Sequence, residues 1–315
     1  MNMCNKNNFF DIVSFYRFIN IHDKNELKKI LDKHLNKKLI KGTILLSNEG
    51  INGTLSGKKI DIQEVLKIIK KYLNIRKIKT NHSTSDFLPF NRMKVRIKKE
   101  IVSLGQGNIN SKIKSNKYAS PEEWNDLIND KDVKIVDVRN IYEIKVGKFK
   151  GSINPNTQNF RDFISSFMKF NFNKKAKVAM YCTGGIRCEK ASAQLKILGY
   201  KNIYQLEGGI INYLNYAKKN NINSMWDGEC FVFDERVAIN SDLKRGKYLQ
   251  CYGCRSPIKQ KDTLSKKYKK GISCPHCFNK RTKNQIKKSK SRQRQIDHAK
   301  KNKLPNVFLK EDYIN

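Results

Sequence analysis

The segment Met180–Lys190 reads MYCTGGIRCEK, and it follows the apolar run Val178-Ala179-Met180-Tyr181. A short apolar run predicts a buried strand, and EKASAQLKILGY after the loop predicts a helix. Strand, tight glycine loop, helix is the α/β unit in which ligands meet the carboxyl end of a parallel sheet. Cys182 is the first residue off that strand. Gly184 and Gly185 let the backbone curl so that amides point inward, and the helix N-terminus adds further donors and partial positive charge. Arg187 supplies a fixed cation. Each of these features favours a thiolate, which makes Cys182 the candidate nucleophile and Thr183, Gly184, Gly185, Ile186 and Arg187 its anion cradle. Four residues separate Cys182 from Arg187, one fewer than in the cysteine phosphatase loop, and the smaller ring suits a persulfide on Cys182. Cys188 is a candidate resolving thiol. Its place at the head of the helix favours the plainer expectation that it packs under the loop and points away from it.

The same α/β pattern extends outward. VKIVDV and NIYQL are further strands with continuous apolar character, as a parallel sheet covered on both faces requires. Ser120-Pro121-Glu122-Glu123 opens a helix with a Ser cap, Pro at the first position and Glu at the third. Upstream, FDIVSFYRFI (Phe10–Ile19) is a strand, and Asp23 with Glu26 forms the capping box of a helix. KGTILLS and INGTLSG are strands joined at Asn48-Glu49-Gly50. IDIQEVLKIIKKYL is an amphipathic helix, IRKIKT is a returning strand and MKVRIKKEIVSLG one more. The order β-α-β-β-α-β is that of a ferredoxin-like, acylphosphatase-like sandwich. Residues 105–118 read as a polar linker. The expected division is therefore a ferredoxin-like α+β domain over 1–104, that linker, an α/β domain over 119–222 and a basic region over 223–315.

The last region carries Cys251-Tyr-Gly-Cys254 and Cys274-Pro-His-Cys277, two C-x₂-C pairs separated by 19 residues. That spacing predicts a closed four-thiolate structural zinc site, with His276 as a bystander. Cys4 is incidental and Cys230, in an apolar run, reads as core.

The chain has 315 residues and a formal net charge of +37. Abundant Lys, Asn and Ile throughout fit a compositional bias, but Lys244–Lys303 holds 21 Lys/Arg against two acids, about half of the excess. Such clustering predicts a polyanionic partner, and Tyr248, Tyr252, Tyr268 and Phe278 within or near it are candidate stacking surfaces for unpaired RNA bases. No segment approaches the ~20 apolar residues of a membrane span. The N-terminus lacks the apolar core of a signal peptide, and eight cysteines in such a chain point to reduced thiols in the cytoplasm.

Asp137-Val-Arg-Asn140, the Cys182 loop and Leu206-Glu-Gly-Gly-Ile210 together resemble a rhodanese domain. One departure is GKFKGSI, where Lys148 stands at a position often held by histidine. LLSNEGINGTLSG, CTGGIRCEKASA, LEGGIINYL and GECFVFDERVA, in this order, resemble the rhodanese-containing tRNA uridine hydroxylases over nearly the whole chain. That resemblance implies an oxidoreductase acting on tRNA, with molecular oxygen as co-substrate for 5-hydroxylation of the wobble uridine and with the essential cysteine at Cys182. The residues themselves indicate only a persulfide-type loop. They contain no flavin fingerprint and no two-His-one-carboxylate iron set, so the electron donor is left open. A thiosulfate-type sulfurtransferase acting on a small thiol acceptor uses the same loop but has no need of the tail. A non-catalytic RNA-binding protein would be free to lose Cys182 and Arg187.

Overall fold

The computed structural model describes residues 9–36, 38–105 and 117–304. The first unit contains β1 (Phe10–Phe18), α1 (Lys24–Leu35), β2 (Lys41–Ser47), β3 (Gly50–Gly57), α2 (Lys59–Tyr72), β4 (Lys79–Ser85) and β5 (Met93–Ile97). Its sheet order is β4-β1-β3-β2-β5, with β5 the parallel neighbour of β2. The predicted ferredoxin-like sandwich is thus present with one added edge strand. Asn48-Glu49 turns the β2–β3 hairpin, with Ser47 paired to Gly50. Asp23 caps α1 through the amides of Asn25 and Glu26, so its half of the expected capping box forms. The returning strand starts at Lys79 instead of Ile75, because the chain is still leaving α2 at Ile75, whose amide bonds to the Lys70 carbonyl. β5 ends at Ile97, well short of the run first read as one strand.

Strand alternation divides the side chains of this sheet between two environments. Val13, Ile44, Leu46, Ile51 and Leu55 pack with Leu27, Leu31, Ile62, Val65 and Ile69 of the helices. Ile12, Ser14, Thr43, Asn52, Thr54, Asn81 and Ser83 line the opposite face, which is turned toward the rest of the chain.

The second unit contains β6 (Lys117–Ala119), α3 (Pro121–Asn129), β7 (Lys134–Asp137), α4 (Ile141–Ile144), β8 (Gly147–Phe149), α5 (Phe163–Met168), β9 (Lys177–Tyr181), α6 (Ile186–Ile197), β10 (Asn202–Leu206) and α7 (Gly209–Lys219). Its parallel sheet runs β6-β10-β9-β7. β6 reaches into the predicted linker, of which residues 106–116 lie outside the described residues. Val178 and Met180 face one core, while Ala179 and Tyr181 face the other. Both faces are covered, as the apolar runs require. Ser120 and Glu123 make the reciprocal capping box of α3. Lys148, at the position of the departure, is exposed on β8 opposite Asp227.

α6 ties the two units together. Lys190 is fully buried, and its ammonium meets Glu49 at 2.9 Å, Glu100 at 2.5 Å and the Val102 carbonyl at 3.1 Å. Glu49 also accepts the Ile101 amide at 2.7 Å. Next to it, buried Glu189 accepts from Tyr16 at 3.0 Å, Lys79 at 2.6 Å, Tyr118 at 2.9 Å and Gln205 at 3.1 Å. Removing one member of such a cluster leaves the others as uncompensated buried charge. Lys190→Met should therefore cost about 3–5 kcal/mol, read as a lower denaturant midpoint; an unfolding curve that matches the parent would show that these contacts do not hold the two units together.

Candidate active site

Cys182 leaves β9 at the carboxyl edge of the parallel sheet and is fully buried. Gly185, at φ +91°, is the N-cap of α6 and donates its amide to Cys182 Sγ at 3.1 Å. The loop is held from behind by the LEGGI segment: Ile210 N donates to Cys182 O at 3.0 Å and Ile211 N to Thr183 O at 3.1 Å. A Cβ on Gly209 would lie 2.4 Å from Cys182 O, so this approach requires glycine.

Burial by itself pushes the Cys182 thiol up. Hydrogen bonding from the Cys188 thiol, the Arg187 charge and the amides of Cys188 and Arg187 outweigh it and bring its pKa down to about 6. Cys188 therefore does not point away from the loop. Its side chain is fully buried against Cys182, and burial together with donation to the Cys182 sulfur raises its own pKa well above the ordinary thiol range. The first turn of a helix that starts at Ile186, two residues earlier than Cys188, carries that thiol back toward the loop.

Arg187 is not an isolated cation. Its guanidinium grips Glu143 through two bonds, of 2.6 and 2.7 Å, and reaches Thr183 Oγ1 at 3.3 Å. Glu143 is buried on α4 and also accepts the Asn140 amide at 3.1 Å. The spacing Asn140-Ile-Tyr-Glu143 is that of a helix start, and it is the local sequence signal that places Glu143. Arg139 is likewise structural: it is buried, paired to Asp137 at 2.6 Å and placed over Trp226 at 4.9 Å.

A cavity of about 480 Å³ opens over the loop. The Cys182 loop, Asn140 and Phe160 form its floor. The polar face of the first sheet forms one wall, and the segment Val232–Arg236 forms another. That segment is fixed by Arg236, which pairs with Asp234 at 2.7 Å and donates to Ser83 Oγ at 3.0 Å. Tyr16 stands at the rim; its phenol is kept protonated by burial first, then by Glu189 and Cys182.

Cys251, Cys254, Cys274 and Cys277 converge elsewhere, all four sulfurs lying within 4.8 Å of one another. The closest pairs stand 3.8, 3.9 and 4.0 Å apart. A tetrahedron with ~2.3 Å metal–sulfur bonds has sulfur–sulfur edges of about 3.8 Å, so the donor set fits a zinc-like ion. His276 lies outside the cluster and faces Asp262 at 3.5 Å. Thr282 then caps a last helix, α8 (Lys283–Lys301), anchored by Arg292 to the carbonyls of Tyr252 and Gly271. Tyr248 and Tyr268 pack inward, the second against the cysteine cluster, and so are not open stacking faces. Tyr252 and Phe278 are about 40% exposed. Cys230 is buried core, its thiol pushed up to about 12 by burial. Cys4 lies outside the described residues. Among the described residues no helix is long and apolar enough to cross a membrane.

Two family models match the chain: a UPF0176 acylphosphatase-like domain over residues 10–101 and a rhodanese-like domain over residues 120–215. A curated relative from Pelagibacter ubique (strain HTCC1062), a tRNA uridine(34) hydroxylase, is 47% identical over 304 residues, covering 96% of this chain and 99% of its own. Solved structures similar to part of the chain include a rhodanese-like domain protein from Staphylococcus aureus (28% identical, 31% of this chain and 90% of that one, TM-score 0.27). A rhodanese-related protein from Thermoplasma volcanium is 24% identical over 32% of this chain and 92% of its own, with a TM-score of 0.27.

The Cys188 contact can be tested in solution. Cys188→Ala removes a donor to the Cys182 thiolate, so the Cys182 pKa should rise from about 6 toward the ordinary thiol value of ~8.5. The midpoint of the pH profile for alkylation of the Cys182 peptide, followed by mass spectrometry, should move in that direction; an unmoved midpoint would show that the Cys188 thiol does not support the charge.

Proposed function

The chain belongs to the tRNA uridine(34) hydroxylase family, and on that premise we propose that it hydroxylates carbon 5 of the wobble uridine in tRNA, with Cys182 as the reacting side chain. The observation that carries this reading is the placement of a buried thiol, its pKa lowered to about 6, at the floor of a cavity shared by both units. A sulfurtransferase acting on a small acceptor needs the loop alone. Here the ferredoxin-like sheet supplies a polar wall to the site, a use for the N-terminal unit that the simpler activity lacks.

The chemistry we infer takes one oxygen atom from O₂ into the base and reduces the other to water with two electrons and two protons, so a separate electron donor is required. Within the chain, Arg187 and the loop amides stabilise negative charge on the Cys182 sulfur or on a persulfide sulfur attached to it. Glu143 fixes the Arg187 guanidinium in the plane in which it meets Thr183. Val232–Arg236 and the first sheet exclude bulk water from the reacting atoms.

In the C-terminal region the four thiolates would hold a structural zinc ion, which would staple a polar segment with little core of its own. α8 would then present Lys287, Lys288, Lys290 and Arg294, all exposed, to the phosphate backbone of tRNA. The cytoplasm is the compartment in which reduced thiols and tRNA meet.

Three outcomes are expected. Cys182→Ser should abolish 5-hydroxyuridine in tRNA from complemented cells, because a hydroxyl neither ionises near neutrality nor carries sulfane sulfur; normal levels would remove Cys182 from the reaction. Freshly purified protein should contain about one zinc per chain, lost with Cys254→Ser. Truncation at Ala238 would be a poor test of the tail, because Ile239 and Leu243 beyond it are buried in the central core. Changing Lys287, Lys288, Lys290 and Arg294 together to Gln should instead flatten the salt dependence of tRNA binding by about three units of log–log slope. A slope identical to the parent's would place the tRNA on another face.

A further inference from the structure

Positive charge from distant parts of the chain meets at β5. This is the edge strand of the first sheet, parallel to β2, with Thr43 beside Lys94 and Leu45 beside Arg96. Met93, Val95 and Ile97 pack into the helix-covered core. By strand alternation Lys94 and Arg96 lie on the opposite face, the one on which Thr43 and Leu45 line the Cys182 cavity. Both are exposed, and Arg92 stands just before the strand.

The cysteine-rich segment reaches the same edge. Glu235 donates its amide to the Pro89 carbonyl at 2.9 Å, and its carboxylate accepts from Asn91 at 3.4 Å and from the Tyr252 hydroxyl. Tyr252 lies between Cys251 and Cys254, and the Arg255 guanidinium covers its ring at 5.1 Å. Arg245 sits over Phe87 at 5.3 Å. Partial burial, and then the charges of Arg96, Arg92 and Arg255, hold the Lys94 ammonium below the ordinary lysine range. Among the described residues, none of Lys94, Arg96, Arg245 and Arg255 forms an ion pair. Glu235 is the carboxylate of this bridge, and Asn91 and Tyr252 already engage its two oxygens. Like charges gathered in this way repel, and what the surface lacks is an anion.

Two features choose among polyanions. Phe233, in the Val232–Arg236 turn, is 63% exposed, although it lines the cavity and packs edge-on against Phe231 at 5.2 Å. Asp234 and Arg236 pair within the turn, so the ring is held in water by a braced segment. A fixed aromatic ring beside a row of cations suits a single nucleic-acid strand, which offers bases to the ring and phosphates to the charges. An acidic peptide would use the charges and leave the ring idle. Side chains two apart on a strand stand ~6.6 Å apart, near the separation of neighbouring phosphates along an RNA strand.

We propose that β5 and the cysteine-rich segment form one surface that grips a single RNA strand at the mouth of the Cys182 cavity, with Lys94, Arg96 and Arg255 on its phosphates and Phe233 against a base. This rests on the tRNA-hydroxylase reading and adds a backbone contact distinct from α8. The cysteine cluster then does more than mount a basic helix: it sets Arg255 in line with an edge strand of the first unit. Phosphate contacts of this kind position a strand without reading its sequence.

The test uses the full-length zinc-loaded protein and a labelled anticodon stem-loop RNA, titrated at several salt concentrations. Lys94→Gln, Arg96→Gln and Arg255→Gln together should weaken binding and flatten the log–log salt dependence by about two units, at ~0.7 for each single-strand phosphate contact. Phe233→Ala should weaken binding roughly fivefold or more, the scale of one lost base stack, with the salt slope unchanged. A triple variant of normal zinc content and unfolding midpoint that keeps the parent slope overturns the proposal. Ultraviolet crosslinking of the unsubstituted protein to the same RNA needs no change in the chain. Crosslinked peptides should include Phe233 or Tyr252, and crosslinks confined to α8 overturn the proposal. So does poly-glutamate that binds the parent more tightly than RNA of equal charge. The hydroxylase reading is judged separately, by 5-hydroxyuridine formed by the unsubstituted protein: a flattened slope with no hydroxylation supports the surface and overturns that reading alone.

Discussion

Arg187, Glu189 and Lys190 lie in the first turns of α6, and all three are buried. Three ionised groups so close together in the interior would each cost several kcal/mol if unmatched. Each is matched by a different part of the chain: Arg187 by Glu143 of α4, Glu189 by Tyr16 and Lys79 of the first sheet and by Tyr118 and Gln205 of the second, Lys190 by Glu49 and Glu100. The helix that begins the thiolate loop cannot satisfy itself. It needs the N-terminal unit to be charged and dry at once, and the relative placement of the two units follows from that need.

This constraint explains why the site lies between units and not on one of them. Hydrophobic burial builds one core against the helices of the first sheet and one on each face of the parallel sheet, with Phe18, Val102 and Leu104 packing onto one of the latter. Apolar contact alone is non-directional and would leave the two units free to slide. The ion pairs around α6 are directional, and they fix the polar face of the first sheet above Cys182. The cavity is the space that remains between two surfaces held by charge.

Much of this could be read in the sequence, and what could not has a common cause. Strand and helix periodicity, the Ser120 capping box, the Cys182 loop and the C-x₂-C pairs are all local patterns, each within fewer than thirty residues. The cavity depends on pairs such as Tyr16 with Glu189 and Lys190 with Glu49, which are 173 and 141 residues apart. A lysine in a chain with 65 Lys and Arg carries no mark that it will be the buried one. Cys188 departs from its expected direction for a smaller reason: the helix starts at Ile186, and a shift of two residues turns a side chain by about half a turn. The strand expected at Ile75 failed because α2 is closed by a further turn at Asn74, which takes a positive φ of 49°.

The basic C-terminal region obeys a different logic from the rest. Around the cysteines its small core includes Leu249, Ile258 and Tyr268, and α8 is held to it by Arg281 and Arg292 bonding to backbone carbonyls and Ser289. Arg281 and Arg292 are thus consumed by architecture, while Lys287, Lys288, Lys290 and Arg294 along α8 are exposed. Exposed lysines on one rigid helix repel each other, and nothing on the helix relieves that repulsion apart from Asp297. A fold under no demand to meet a polyanion would lose little by replacing them. Held against the cysteine cluster through Arg281 and Arg292, the helix is a charged arm on a rigid mount, apart from the Cys182 loop. Under the proposed function, affinity for the tRNA backbone would rest on residues other than those that hold the Cys182 loop, so that one could change without the other.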